Sequence, residues 1–368
     1  MPTRAPPGKG HCRTWPSPAS PAQAGLPIHI EAAALEGRPV HFAIKYPWQS
    51  GPEAVTEDPR FWAAARQVGL ALFAVTFLIG SALVARRNLR QGRGHRTGAL
   101  RLAAFTFIVR LLTWLFGAPH VSGPEEMNLF LGNLAYALYD SAQLWVLYLA
   151  LEPALRRLWP DGIVSWVRAL DGRLLDPLVG RDVLIGTLLG VLAATAIPLL
   201  RVVSAWLGLQ SPIPDAPADL LGLRGPRYLA SLLFWTSISA LEAGLGCVAF
   251  LIALRILLRR WWLAVVGVPL CMLPVIGPPG GSAPASLLFI VLAIMIGLVA
   301  LLRFGVLTWV VCCFFAILLL SFPLTADLSS WNAAGTLLVA VVLAAAAIYG
   351  LRVSCRGRPV TVAALARA

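Results

Sequence analysis

Apolar residues in this chain gather into long runs, and the runs are separated by short stretches dense in arginine, proline and glycine. A helix needs about 20 apolar residues to cross the hydrocarbon of a bilayer, with about 17 to 25 tolerated. Nine stretches reach this length or come close: 68–85, 102–118, 129–151, 183–200, 228–254, 261–276, 286–302, 305–322 and 332–351. The sixth is short and holds Pro269 and Pro274, which also suits a re-entrant segment. The pattern therefore predicts an all-α polytopic membrane helical bundle of about nine spans within residues 68–352.

Three stretches follow other rules. Residues 1–25 are rich in Pro, Ala and Ser, hold no apolar core of signal-peptide length, and read as a disordered tail. In 26–50, Ile28, Ile30, Val40, Phe42 and Ile44 alternate with His29, Glu31, His41 and Lys45 across a Glu-Gly-Arg turn, which predicts a short β-hairpin. Two strands alone are marginal in water, so this hairpin is expected to dock on the bundle or to be the remnant of a larger domain, with 51–67 as a linker. The loop 152–182 is half apolar. Ile163, Trp166, Val167, Leu170 and Leu174 fall at helical spacing, while Arg168, Asp171 and Arg173 lie off that stripe. An amphipathic helix there would lie along the membrane surface or pack on protein.

Composition sharpens the membrane reading. Of the 368 residues, 58% are hydrophobic and 13% charged, which leaves too little charge to coat soluble domains of this size. A net charge of +13 would suit nucleic acid, but the arginines cluster at the ends of apolar runs and no aromatic-basic stripe accompanies them, so no nucleic-acid partner is expected. Six cysteines without CxxC spacing and five scattered histidines assemble no metal or cofactor site. His29 and His41 share a hairpin face but lack a third ligand.

Arginine and lysine in short loops stay on the cytoplasmic side. If the first span runs outside to inside, the inner segments, tail 353–368 included, hold nineteen arginines, and the outer loops hold three: Arg201, Arg224 and Arg227. The expected topology is amino terminus outside and carboxyl terminus in the cytoplasm. Residues 1–67 would then cross the membrane with seven basic residues of their own, so a delivering segment upstream is expected. In this frame the stretch "LEPALRRLWP" is the inner exit of the third span, with Arg156 and Arg157 as anchors and Trp159 at headgroup depth.

Ionisable groups deep in a bilayer cost about 2.5–3.5 kcal/mol each on insertion scales and are functional candidates by default. Three stand out at similar depth: Arg110, Asp140 and Glu242. Arg110 is expected to pair with Asp140 across the second and third spans, with Glu242 joining them or sitting protonated. Such a cluster fixes helix register, relays protons or ions, or lets Arg110 snorkel. Glu125 and Glu126 resemble the paired glutamates of intramembrane proteases, but Phe130 stands where an arginine belongs, and His120 stands alone. No catalytic set is assigned.

The segments "ARRNLRQGRGHRTGALRLA" (85–103), "WVLYLALEPALRRLWPDGIVSW" (145–166), "GRLLDPLVGRDVLIG" (172–186), "PLTADLSSWNAAGTLL" (323–338) and "GRPV" (357–360) resemble the carboxyl-terminal membrane region of large bacterial eukaryotic-like serine/threonine protein kinases. The resemblance covers about residues 25 to 365 and implies a preceding cytoplasmic kinase domain, one span and an external domain. It departs in one respect: G-x-G-x-x-G, V-A-I-K, H-R-D and D-F-G are all missing, so this polypeptide is not expected to be an enzyme. The implied role is anchoring, sensing or oligomerising in a bacterial plasma membrane. The partners would be the lipid bilayer and a kinase domain or a second copy. The alternative is a small-molecule or ion transporter, although no internal repeat supports it.

Overall fold

A computed structural model describes residues 10–17, 28–35, 38–45, 59–120, 123–206, 220–276, 283–322, 324–330 and 333–356. The chain divides into two units, Met1–Gly69 and Leu70–Ala368.

In the first unit, β1 (Gly10–Ser17), β2 (Ile28–Leu35) and β3 (Arg38–Lys45) run antiparallel in the order β1-β2-β3. β1 lies inside the stretch expected to be disordered. It pairs with β2 along all eight residues, a backbone partner that composition does not reveal. Proline cannot donate to a ladder and is confined to edges and bulges. Accordingly Pro16 sits on an edge strand, and Pro39 sits where the β2–β3 register shifts at Ala33/Ala34. His29 lies opposite Lys45 and His41 opposite Ala33. The two histidines are thus four ranks apart, about 13 Å at strand rise, too far to share a metal ion.

Helix α1 (Pro59–Arg90) begins in the first unit and continues into the second, which also holds α2 (Arg96–Gly117), α3 (Pro124–Leu158), α4 (Pro160–Leu170) and α5 (Pro177–Trp206). After a 3₁₀ turn at Leu220–Arg224 come α6 (Pro226–Leu258), α7 (Trp261–Ile276), α8 (Ala283–Phe304), α9 (Val306–Ser321) and α10 (Ala333–Ser354). Five of them, α1 and α3 to α6, open on proline, whose missing N–H costs nothing in the first turn. Each of the nine apolar stretches falls in a helix, and among the described residues six helices are long and apolar enough to cross a membrane. Outward-facing Leu72, Leu83, Leu188, Ile256, Leu257 and Val341 are each more than 60% exposed, an apolar coat that water would not tolerate and lipid would. This is the architecture of a multi-pass membrane protein.

Helix bounds differ from the sequence expectation in instructive places. Residues 59–67, expected as a linker, continue α1. α3 runs 35 residues and carries Glu152, Arg156 and Arg157 inside the helix instead of in a loop. The amphipathic segment becomes α4, and its apolar stripe packs on protein, with Ile163 2% and Trp166 4% exposed. At its closest point α4 meets the start of α9, where a Cβ on Gly305 would stand 2.5 Å from the Gly162 carbonyl oxygen. Leu174 of the same stripe, past the end of α4, is 52% exposed.

The core gathers around α9, which packs against α4, α5, α6 and α8. At 16 residues α9 is about 24 Å long, shorter than the hydrocarbon, and it is buried on most sides. Backbone approach rather than side-chain interdigitation sets its distance to α5. A Cβ on Gly186 would lie 2.7 Å from the Thr308 carbonyl oxygen, and one on Gly190 2.7 Å from that of Cys312. Gly186 and Gly190 form a small-xxx-small pair, the device by which helices approach closely where lipid removes the hydrophobic driving force. The same economy recurs between α5 and α10, where a Cβ on Gly350 would stand 2.9 Å from the Leu184 Cβ.

Gly190→Val is expected to separate α5 from α9 and to destabilise the bundle by about 1–3 kcal/mol, the usual cost of overpacking. Gly132→Val, where a new Cβ meets nothing within 4 Å, is the neutral comparison. Unfolding of the purified protein in detergent, followed by tryptophan fluorescence, compares the two.

Candidate functional site

In the middle of the bundle, Arg110 Nε on α2 lies 3.1 Å from Asp140 Oδ2 on α3. Asp140 is 7% exposed, whereas the guanidinium is only partly covered. The Arg110 Cζ also sits 5.7 Å from the centroid of the Tyr136 ring, one turn before Asp140 on the same helix face. Glu242 lies on α6, which packs against both α2 and α3, and its carboxyl group interacts electrostatically with Arg110 and Asp140 without a direct ion pair among the described residues. Two carboxyl groups therefore face one guanidinium. The Arg110–Asp140 ion pair ties α2 to α3, with Glu242 of α6 within electrostatic reach of both.

The arginine-rich end of the bundle is braced by a second set of pairs. Pro153 lies inside α3 and has no N–H, so the Leu149 carbonyl loses its helical donor. Asn88 of α1 supplies the replacement: its Nδ2 donates to Leu149 O at 3.0 Å. Glu152, 2% exposed, is ion-paired with Arg156 one turn on. The Asp171 carboxylate lies 3.3 Å from His95 Nε2 and 3.7 Å from Arg101 Nη1, and Arg101 donates to the Leu170 carbonyl at 2.8 Å, capping α4. Arg168 grips Asp176 at 2.8 Å, and Arg181 reaches the buried Asp182 at 2.9 Å. At this end the acids are the more buried partners and the arginines the more exposed ones, as expected where guanidinium stems lie along apolar surface with their heads outward.

The opposite end has its own charged contacts, which sequence reasoning missed. His120 is not alone: Nδ1 lies 2.6 Å from Glu126 Oε1, and Nε2 lies 2.9 Å from the Leu115 carbonyl oxygen. Both partners are acceptors, so both ring nitrogens donate only when the imidazole is protonated. Hydrogen bonding to Glu126 first, and to the Leu115 carbonyl second, raises the His120 pKa above 6.5. The available signal was the six-residue offset that brings a turn residue back to the first turn of α3. Arg227, counted as an outer-loop residue, donates from Nε to Phe116 O at 2.9 Å and caps α2. Ser231 donates to Thr113 O at 2.8 Å beside it. Glu125 lies in the first turn of α3, where its charge favours the helix dipole. Among the described residues no group of three His, Cys, Asp or Glu side chains could hold a metal ion.

No protein-family model, no curated protein and no solved structure matches this chain.

Two outcomes test these sites. Asp140→Asn strands the Arg110 charge in hydrocarbon and is expected to cost about 2.5–3.5 kcal/mol, while adding Arg110→Gln restores part of the loss. A double-mutant cycle on detergent unfolding measures the coupling, and strict additivity would refute the pair. For His120, the folded-state pKa is raised, so the pair's contribution is complete below pH 6.5 and is lost as pH climbs through the folded value. Glu126→Gln is expected to move the His120 titration down toward 6.5, read by NMR of the ring C–H signals and assigned with His120→Asn.

Proposed function

We propose that this chain is the anchoring and sensing membrane region of a receptor-like bacterial serine/threonine kinase system, with phosphoryl transfer carried out by a domain outside it. The chain crosses the plasma membrane nine times, with α7, α8 and α9 completing the six longer spans. The strand-bearing amino-terminal part lies outside and the carboxyl end lies in the cytoplasm. One observation carries the reading. At the arginine-rich end Asn88 ties α1 to α3, Arg101 of α2 caps α4, and Arg168 of α4 grips Asp176 just ahead of α5, a layer of side-chain bonds that links neighbouring helix ends. Such a layer holds the cytoplasmic ends in fixed relation, so a shift of one span is felt by its neighbours at the face a kinase domain would read. The nineteen-to-three arginine asymmetry supports that sidedness. The resemblance of 145–186 supports the kinase context.

A transporter is the rival, and the Arg110–Asp140–Glu242 cluster is the observation that favours it.

Sidedness is tested in a Cys12→Ser, Cys271→Ser background, where exposed Cys355 reports on the end of α10. A membrane-impermeant maleimide is expected to spare Cys355 in intact cells and to label it after permeabilisation. Function is tested by purifying the tagged chain from native membranes and supplying labelled ATP. Serine and threonine phosphorylation in the purified assembly is expected. Absence of kinase activity, together with cation flux in proteoliposomes that Asp140→Asn abolishes, would replace this reading with the transporter.

A further inference from the structure

A groove opens between α1, α3 and the end of α6, with a volume of about 260 Å³. Its lining changes character along its length. Val84, Ala154 and Ile256 form an apolar wall, and Arg87, Arg93 and Arg157 stand around its charged end. A neighbouring cavity of about 530 Å³ shares Arg93, Pro153 and Arg157 and is also bordered by Arg156. The three shared or flanking arginines Arg87, Arg93 and Arg157 are exposed and have no carboxylate partner among the described residues. The one carboxylate in these walls, Glu152, is already engaged by Arg156.

The grouping of three unpaired arginines next to apolar residues distinguishes the groove from the ion pairs beside it. His95, Arg101, Arg156, Arg168 and Arg181 have acidic partners, whereas Arg87, Arg93 and Arg157, like several other arginines of this end, have none among the described residues, and these three are the ones gathered beside the apolar wall of the groove. α1 is held here by the Asn88 amide and by the close packing of Ala85, which is 3% exposed, while Val84 one residue away is 46% exposed.

We propose that this groove is a binding site for one anionic phospholipid. Its phosphate lies among Arg87, Arg93 and Arg157, and the upper part of an acyl chain lies along Val84, Ala154 and Ile256. Charge complementarity selects an anion, and the apolar wall beneath the arginines selects a lipid over a soluble phosphate. Basic pockets between spans take anionic headgroups on this principle. The site rests on the chain spanning a bilayer and is independent of any kinase.

The test uses the full chain in nanodiscs containing equal amounts of phosphatidylglycerol and phosphatidylcholine with identical acyl chains. After transfer to mild detergent, native mass spectrometry counts the retained lipid of each kind. The wild-type chain is expected to retain one phosphatidylglycerol selectively. Arg93→Gln with Arg157→Gln is expected to weaken retention about 25-fold, at about five-fold for each arginine removed. Arg93→Lys with Arg157→Lys, which keeps the charge, retains selectivity and guards against misfolding. Arg352→Gln with Arg356→Gln, two arginines at the far side of the sequence, leaves retention unchanged. Equal retention of both lipids, or equal loss in the Arg352 and Arg356 variant, would overturn the proposal. So would displacement of the lipid by inorganic phosphate or an acidic peptide at matching concentration, which would make this an anion or peptide site.

Discussion

Inside hydrocarbon no water is present to satisfy a stray amide or carbonyl, so each backbone polar group must find its partner within the protein. Much of this bundle follows from that constraint. Pro153 breaks the α3 ladder, and the carbonyl it frees is the one that ties α1 to the bundle through Asn88. The last carbonyls of α2 are met by Arg227 of α6, and the Gly244 carbonyl of α6 receives the indole N–H of Trp309 at 3.0 Å. The side-chain bonds of Asn88 and Arg227 are thus placed where a helix fails to satisfy itself.

Charge is subject to the same logic at three depths. At the arginine-rich end, buried acids face inward and guanidinium groups reach out, so each desolvated carboxylate keeps a partner. In the middle, Arg110 and Asp140 meet because an isolated charge there is far costlier than a paired one. At the opposite end, where water returns, His120 and Glu126 pair in a manner that depends on pH. Close packing supplies the remaining order. Glycines at 186 and 190 let α5 and α9 approach until side chains meet backbone, and that contact surrounds the short α9 with longer helices.

The helical class and the position of every apolar helix are legible in the sequence because hydrophobic run length alone encodes them. The meeting of Arg110 with Asp140 is legible too, since matched depth on adjacent spans leaves little choice of partner. Other features depend on which faces turn toward each other, and run length carries no such information. The extension of α3 through Pro153 to Leu158 was hidden because proline and three charged residues read as an exit. The packing of α4 on protein was undecidable from its stripe, since lipid and protein are equally apolar to Trp166. β1 was hidden because its pairing belongs to β2 and not to its own composition.

These constraints also distinguish α1 from the other long helices. Its outward apolar residues Leu72, Ile79 and Leu83 are more than half exposed, and its links to the bundle lie near its arginine-rich end. A single amide bond to a carbonyl contributes only about 0.5–1.5 kcal/mol, and no glycine contact of the α5–α9 kind reinforces it, since a Cβ at Gly69 or Gly80 would meet nothing within 4 Å. Displacing α1 therefore costs less than displacing a helix whose backbone is in contact with its neighbour. A displacement of α1 would reach the charged end of the bundle through Asn88, at the carbonyl that Pro153 left open.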